Sequence, residues 1–472
     1  MIADLKPYPQ YKESGLPWLG RVPGHWSVRR IKTVLRETDC RSADGLGTLL
    51  SLTRVRGLIP HEDMTNKMHS ARTLVGYKRY SSGQLVMNRM QAWSGMFGAG
   101  QINGLVSPDY AVFDVLGGHA IKLVLPRLKA PDLVAQFALE SKGIGSGFNR
   151  LYTDRFGSIR ISLPPLEEQA AIVLFLDWAN GRLERAIRAK RKVIALVNEQ
   201  KQAIIHRAVT RGLDHSVPLK PSGIPWLGEI PAHWEVVALG RLCTARCDGP
   251  FGSGLKSMHY TDSGVRVIRL QNIGNGEFQD RGEAFISAKH YATLGDHGVD
   301  EGDLLVAGLG DEKIPAGRAC IAPPLLGPAM VKADCFRFRL IAGRTVPTFL
   351  SNHLSATARG ATSCLSTGAT RLRINLSATA ARSVALPPVV EQQNIVDFIG
   401  KANAPLHAAI ARLAREIELL REYRTRLASD LVTGKLDARE VAARLPEEAA
   451  HDAAESDRDL SDEIEPNDEE AA

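Results

Sequence analysis

The chain contains no long hydrophobic run. Nowhere in its 472 residues do about eighteen apolar side chains follow one another, the length a bilayer-crossing helix needs, so no membrane span is expected. The opening residues, MIADLKPYPQYKESG, lack the apolar core of a secretory signal. Cysteine is sparse: Cys40, Cys243, Cys247, Cys320, Cys335 and Cys364 lie scattered, as reduced thiols of a cytoplasmic protein would. Cys243-x-x-x-Cys247 has no second pair to complete a zinc set, and no metal site is expected.

Catalytic signatures are missing as well. Gly434-Lys435 is followed by Leu436, which rules out a phosphate loop. The Pro-Pro pairs follow Leu163, Ala322 and Leu386, with no polar residue before them and no aromatic after, unlike the Asn/Asp-Pro-Pro-aromatic motif of amino-methyltransferases. Gly143-x-Gly-x-Gly147 and Gly252-x-Gly254 lack the strand–turn–helix setting of a dinucleotide site. Asp132 and Glu140-Ser141-Lys142 resemble a metal nuclease only superficially, since they lie along one predicted helix. No catalytic residue is assigned.

What the chain does contain is duplication. Leu163–Asp214 returns without a gap at Leu386–Asp437, an offset of 223 residues. Both copies open with Leu-Pro-Pro, carry Glu-Gln (Glu168-Gln169, Glu391-Gln392) and close on Thr-x-x-Leu-Asp. A second repeat precedes each copy: Ser14-Gly-Leu-Pro-Trp-Leu-Gly-Arg-Val-Pro-Gly-His-Trp26 and Ser222-Gly-Ile-Pro-Trp-Leu-Gly-Glu-Ile-Pro-Ala-His-Trp234 share nine of thirteen residues, at an offset of 208. Two half-molecules, each running from box to helix, are the organising plan. His25 and His233 have no second ligand at metal spacing, so the box reads as structural: Pro and Gly fix turns, and Trp pins them to a neighbour.

Each 52-residue repeat reads as one long helix. In the second copy Leu406, Ile410, Leu413, Ile417, Leu420, Leu427 and Leu431 form an a/d seam interrupted by Arg424. The first gives Leu183, Ile187, Lys190, Ile194, Val197, Lys201, Ile204 and Ala208. Such stripes must be buried, and each copy is the nearest partner for the other. Lys190 and Lys201 should then lie at the rim, or beside acids such as Glu416, Glu418 or Glu422.

The regions between box and helix, about 31–161 and 242–384, alternate short apolar runs with Gly and polar turns. Residues 49–52, 84–87, 110–113, 121–125, 265–270, 303–307 and 335–340 read as strands; 133–141 and 348–359 read as helices. The expected fold is therefore α+β: two similar mixed α/β domains joined by two long repeat helices packed as an antiparallel coiled coil, with pseudo-two-fold organisation. The expected boundaries are 1–162 and 215–385 for the domains, 163–214 and 386–440 for the spacer helices, and 441–472 for an acidic disordered tail.

Charge is divided unevenly. The formal net charge is +7, from 59 Lys and Arg against 52 Asp and Glu. Residues from Pro446 onward hold twelve of the acids and one Arg, leaving 58 basic against 40 acidic residues, +18, on residues 1–445. A body this basic suits a polyanion, nucleic acid first. Base and phosphate contacts need Arg, Lys, Asn or Gln on a rigid frame. In the first region the candidates are Arg54, Arg56, Lys78, Arg79, Asn88, Arg89 and Gln91. In the second they are Lys256, Arg266, Arg269, Gln271, Asn272, Arg371, Arg373 and Asn375.

The Trp-Leu-Gly…Pro-x-His-Trp box, the Leu-Pro-Pro-(Leu/Val)-x-Glu-Gln helix start and their two-fold repetition resemble the DNA-specificity subunit of type I restriction–modification enzymes. The phrases Gly83-Gln-Leu-Val-Met-Asn-Arg-Met90, Gly104-Leu-Val-Ser-Pro-Asp-Tyr110, Val267-Ile-Arg-Leu-Gln-Asn-Ile273 and Gly302-Asp-Leu-Leu-Val306 add to the likeness, which covers residues 8–440. The resemblance implies two target-recognition domains, each reading half of a split, asymmetric double-stranded DNA site. It implies repeat helices that dock two modification subunits, with restriction and translocase subunits joining them. S-adenosylmethionine, ATP and Mg would belong to those partners, and this chain would be a non-catalytic component. Some 30 helical residues make a rod of roughly 45 Å, enough to address groove faces about one turn apart. The alternative is a two-domain coiled-coil adaptor that binds protein partners and meets DNA only incidentally; the salt dependence of DNA binding would separate the two.

Overall fold

A computed structural model of the chain describes residues 4–54, 56–64, 73–143, 149–311, 313–324, 327–365 and 372–446. Arg371 and residues 447–472 lie outside the described residues. Two compact units emerge: Met1–Arg191 with Ala414–Ala472, and Lys192–Leu413. Each contains one variable region, the start of one long helix and the end of the other. The helices themselves are continuous, Leu166–Arg211 and Val389–Val432. Both begin just after a Pro-Pro pair that cannot extend a helix backward.

In the first unit a four-stranded antiparallel sheet runs in the order Leu35–Thr38, Tyr110–Val115, Leu85–Asn88, Phe97–Gly98. In the second unit Cys243–Cys247, Cys335–Leu340, Leu304–Ala307 and Ala319–Ile321 repeat that order. Helices Pro131–Glu140 and Pro347–Ala356 follow the sheets, each with proline in its first turn, where the missing N–H costs nothing. The two regions therefore share one architecture. What differs is added to it. The first carries the hairpin Leu50–Thr53/Gly57–Pro60 and the antiparallel strand pair Lys78–Tyr80/Gly104–Val106. The second carries a five-stranded mixed sheet centred on Val265–Ile268, which pairs in parallel with Ala329–Val331.

One expected element is of the wrong type. Ile121–Leu125 reads as a strand but lies in the helix Ile121–Leu128. Leu123, Val124, Arg127 and Leu128 are the residues buried there, a helical spacing, so packing of one face overrides the β-propensity of Ile and Val. The packed chain also continues past 440. Helix Arg439–Ala442 buries Val441 and Ala442 in the first unit's core.

Within the first unit the long helices run antiparallel: Glu184 pairs with Arg424 and Lys190 with Glu416 at 2.6 Å, partner numbers falling as the first helix climbs. Leu183, Ile187, Ile417 and Leu427 are buried there, and Leu420 is half-buried. Lys190 thus meets an acid at the seam's edge, and Arg424, the interruption in the seam, is matched by Glu184. In the second unit Ile194, Val197, Ile204, Leu406, Ile410 and Leu413 are half-buried, with Ile205 and Ala208 fully so. Lys201 reaches Glu277 of the variable region at 3.1 Å rather than an acid of the facing helix.

Candidate nucleic-acid interface

Each unit is held to its helix by the two repeats acting together. The strand after the first box, Ser27–Arg30, pairs with the strand before the first helix, Arg160–Leu163. Glu235–Ala238 pairs with Ser383–Leu386 in the same register. This brings the box onto the helix start. Trp26 donates its indole N–H to Glu168 Oε1 at 2.8 Å, and His25 Nε2 lies 2.5 Å from Oε2. Tyr8 donates its hydroxyl to Oε1 at 2.6 Å, and burial together with that carboxylate pushes the Tyr8 phenol up. In the second unit Trp234 and His233 make the same bonds to Glu391, at 3.0 and 2.7 Å. The adjoining glutamines are buried and cap their own Pro-Pro turns: Gln169 donates to the Pro164 carbonyl and Gln392 to that of Pro387.

The far end of the other helix closes each staple. Gly434, at φ +79°, leaves the second helix so close to the first box that a Cβ would lie 2.6 Å from Pro23 and 3.2 Å from Trp26. Gly212, at φ +71°, does the same beside Trp234 and Glu391. Only glycine takes that backbone conformation without strain. His353 links the elements of the second unit further: Nδ1 lies 2.9 Å from the Val209 carbonyl and Nε2 accepts from the Ala385 N–H at 3.3 Å. Burial holds its imidazole down to about 4.

On this frame the candidate DNA-contacting residues separate. Lys78 is buried and paired with Asp39 at 3.2 Å and Glu37 at 3.7 Å, and Arg89 joins Glu37 at 2.5 Å. Arg266 is buried between Asp280 and Glu283. Asn272 is buried and donates to the carbonyls of Gln279 and Arg281. Asn375 caps the helix Leu376–Ala381 by accepting from the Ala378 N–H. Asn88 donates to Gln91 across one turn. These side chains are engaged within the fold. Toward solvent stand Arg54, Arg79 (3.6 Å from Asp44) and Lys256. Arg373 is also exposed, bonded to Asp334 and lying over the ring of Phe251. Arg56 is half-exposed; Arg269 and Gln271 both reach the carbonyl of Gly282.

Three further arginines, absent from the sequence-based candidates, are structural. Arg318 donates to the carbonyls of Leu270, Ile273, Leu309 and Pro315, tying the added sheet to the common one. Arg382 is fully buried on Gly317, Leu354 and Thr357, and burial lowers it to about 9. Arg127 is buried against Asp132 at 2.7 Å. With Glu140 on Arg155, that pairing commits the two carboxylates that superficially suggested a nuclease. Among the described residues no cluster of three or more His, Cys, Asp or Glu could hold a metal ion, and no helix is long and apolar enough to cross a membrane.

Residues 130–191 match the family described as "Type I restriction modification DNA specificity domain". The chain is 28% identical over 169 residues, 36% of its length, to the type I restriction enzyme MjaVIII specificity subunit of Methanocaldococcus jannaschii. It is 27% identical over 281 residues, 59% of its length, to a chain of the same organism provisionally named the type I restriction enzyme MjaX specificity subunit. These alignments span 37% and 59% of the two relatives, less than two thirds of either. A chain from a solved structure concerned with complex assembly and conformational transition of the type I restriction–modification system superposes with a TM-score of 0.55. That match has 15% identity over 87% of this chain and 98% of that one, a likeness of fold. With the duplicated box–helix frame, these matches make the chain similar in sequence to type I restriction enzyme specificity subunits, and similar in fold to a chain of a type I restriction–modification system.

Proposed function

We propose that this chain is the sequence-reading component of a type I restriction–modification complex. It binds a bipartite, asymmetric duplex site, one variable region per half-site. It docks modification subunits on the outer faces of its long helices, and restriction and translocase subunits join that assembly. It performs no chemistry of its own; S-adenosylmethionine, ATP and Mg act on the partner subunits. The observation that carries the reading is the pairing of sameness and difference. Strand order and the box-to-helix staple repeat in both units, whereas the elements added to each sheet do not. A common frame with two different surfaces suits two different half-sites read in one geometry. A groove of about 510 Å³ in the first unit, lined by Lys190, Leu419, Leu420 and Tyr423, supports the docking of protein partners on the helices.

The test is to map methylated motifs in cells that hold the modification subunits, with and without this chain. The reading requires a split motif that disappears when the chain is removed. Methylation that persists unchanged would leave the chain as a protein adaptor.

A further inference from the structure

Lys129 follows the helix Ile121–Leu128, and its backbone N–H bonds to the carbonyls of Leu125 and Arg127. Its ammonium, partly buried, donates to the carbonyl of Arg54 at 3.3 Å. Arg54 stands at the tip of the hairpin Leu50–Thr53/Gly57–Pro60 and donates to the carbonyl of Ser94 at 2.9 Å and to its hydroxyl at 3.1 Å. Ser94 ends the turn Ala92–Ser94, where Trp93 is 41% exposed, its indole N–H held by the Met90 carbonyl at 3.0 Å. Three elements distant in sequence therefore meet at Arg54: the Lys129 ammonium bonds its carbonyl, and its guanidinium bonds Ser94, the residue after the part-exposed Trp93.

The partners of both cations are neutral oxygens. Among the described residues no carboxylate lies within ion-pair distance of either, although Lys78, Arg89 and Arg127 in the same unit are each matched by an acid. Burial, and then the charge of Arg54, lower the Lys129 ammonium to about 8. The helix C-terminus beside Lys129 offsets part of that cost but does nothing for Arg54. An anion held between them converts mutual repulsion into two charge-assisted bonds. Arg54 keeps guanidinium N–H groups beyond the two spent on Ser94. The adjoining indole offers apolar surface to a sugar.

We propose that Arg54, Lys129 and Trp93 form a contact for the phosphodiester backbone of duplex DNA, the two cations sharing one phosphate and the indole packing on the neighbouring sugar. This rests on the DNA-reading function proposed above. It assigns the patch to backbone positioning rather than base choice.

The experiment is fluorescence anisotropy of the full-length chain with a labelled duplex of arbitrary sequence, titrated across a NaCl series. Lys129→Ala should weaken binding about tenfold and lower the slope of log K against log salt by about 0.9, one phosphate contact. Lys129→Arg should keep the slope, and Trp93→Ala should weaken binding with the slope intact. A wild-type chain without salt-dependent binding would overturn the DNA-reading function itself. A wild type that binds normally, matched by Lys129→Ala in both affinity and slope, would overturn this contact alone. Equal losses in Lys129→Ala and Lys129→Arg, with lowered thermal midpoints, would make Lys129 a packing residue and likewise overturn the contact. So would an unchanged slope accompanied by weaker uptake into the complex with the modification subunits, which would make the patch a protein contact.

Discussion

Glu168 gathers three donors, and removing its carboxylate is the sharpest test of the staple that fixes the first variable region to its helix. The residue is 5% exposed and accepts from Trp26, Tyr8 and His25. Glu168→Ala would leave the indole N–H and the phenol O–H buried without an acceptor. A hydrogen bond to a charged group contributes about 1.5–3 kcal/mol, and losses within one network do not add. The expected destabilisation of the first unit is therefore about 4 kcal/mol. Glu391 takes two donors and its side chain is 28% exposed, so water replaces part of what is lost. Glu391→Ala should cost the second unit about 2 kcal/mol. Glu168→Gln keeps an acceptor for Trp26 and Tyr8 but loses the charge facing His25, and should fall between. Urea unfolding followed by tryptophan fluorescence gives the totals, and hydrogen exchange over residues 163–175 and 386–398 assigns them to a unit. Equal costs at Glu168 and Glu391, or a Glu168→Ala change within about 1 kcal/mol of wild type, would refute the reasoning.

The remaining predictions are more local. Burial keeps His353 at about 4, below the unfolded imidazole near 6.5. The unfolded chain therefore binds more protons between those values, and stability rises with pH across that window by roughly 3 kcal/mol, fully present above 6.5 and lost below 4. His353→Gln should flatten the dependence of the urea midpoint on pH; an unaltered slope would show that other groups cause it. The Lys190–Glu416 pair, at 2.6 Å but with side chains 30% and 40% exposed, should show a double-mutant coupling below about 1 kcal/mol. A coupling of about 2 kcal/mol or more would mean that charge contributes to holding the helices, beyond the burial of Leu183, Ile187, Ile417 and Leu427.

Much of the frame was legible because it is written twice. The register of Glu-Gln after Pro-Pro, and of His-Trp at the end of the box, marks the residues that meet in the staple, though not that they meet each other. The strands at 85–88, 110–115, 304–307 and 335–340 carried the apolar runs that single sequences show. The candidate interface was harder to read, because a cation on a strand looks the same whether it faces water or a buried acid. Lys78 alternates with the buried Tyr80, so the period of two already pointed it inward. Arg266 sits within Val265–Ile268, buried at every position in a strand with neighbours on both sides, another signal that was there to use. Lys129 left no such trace: its relation to Arg54 and Trp93 exists only once the hairpin tip and the turn at Ala92–Ser94 are folded together.

The proposed function has one variable region reading each half-site, and from it we infer that the length of the long helices sets the gap between the two specific blocks. The direct measurement is to delete one heptad, residues 187–193, with the matched seven of the second helix, 414–420, and to map the methylated motif. Seven helical residues rise about 10 Å, or about three base pairs. The account predicts a gap shortened by that amount with both specific blocks unchanged. Altered blocks around an unchanged gap would contradict it.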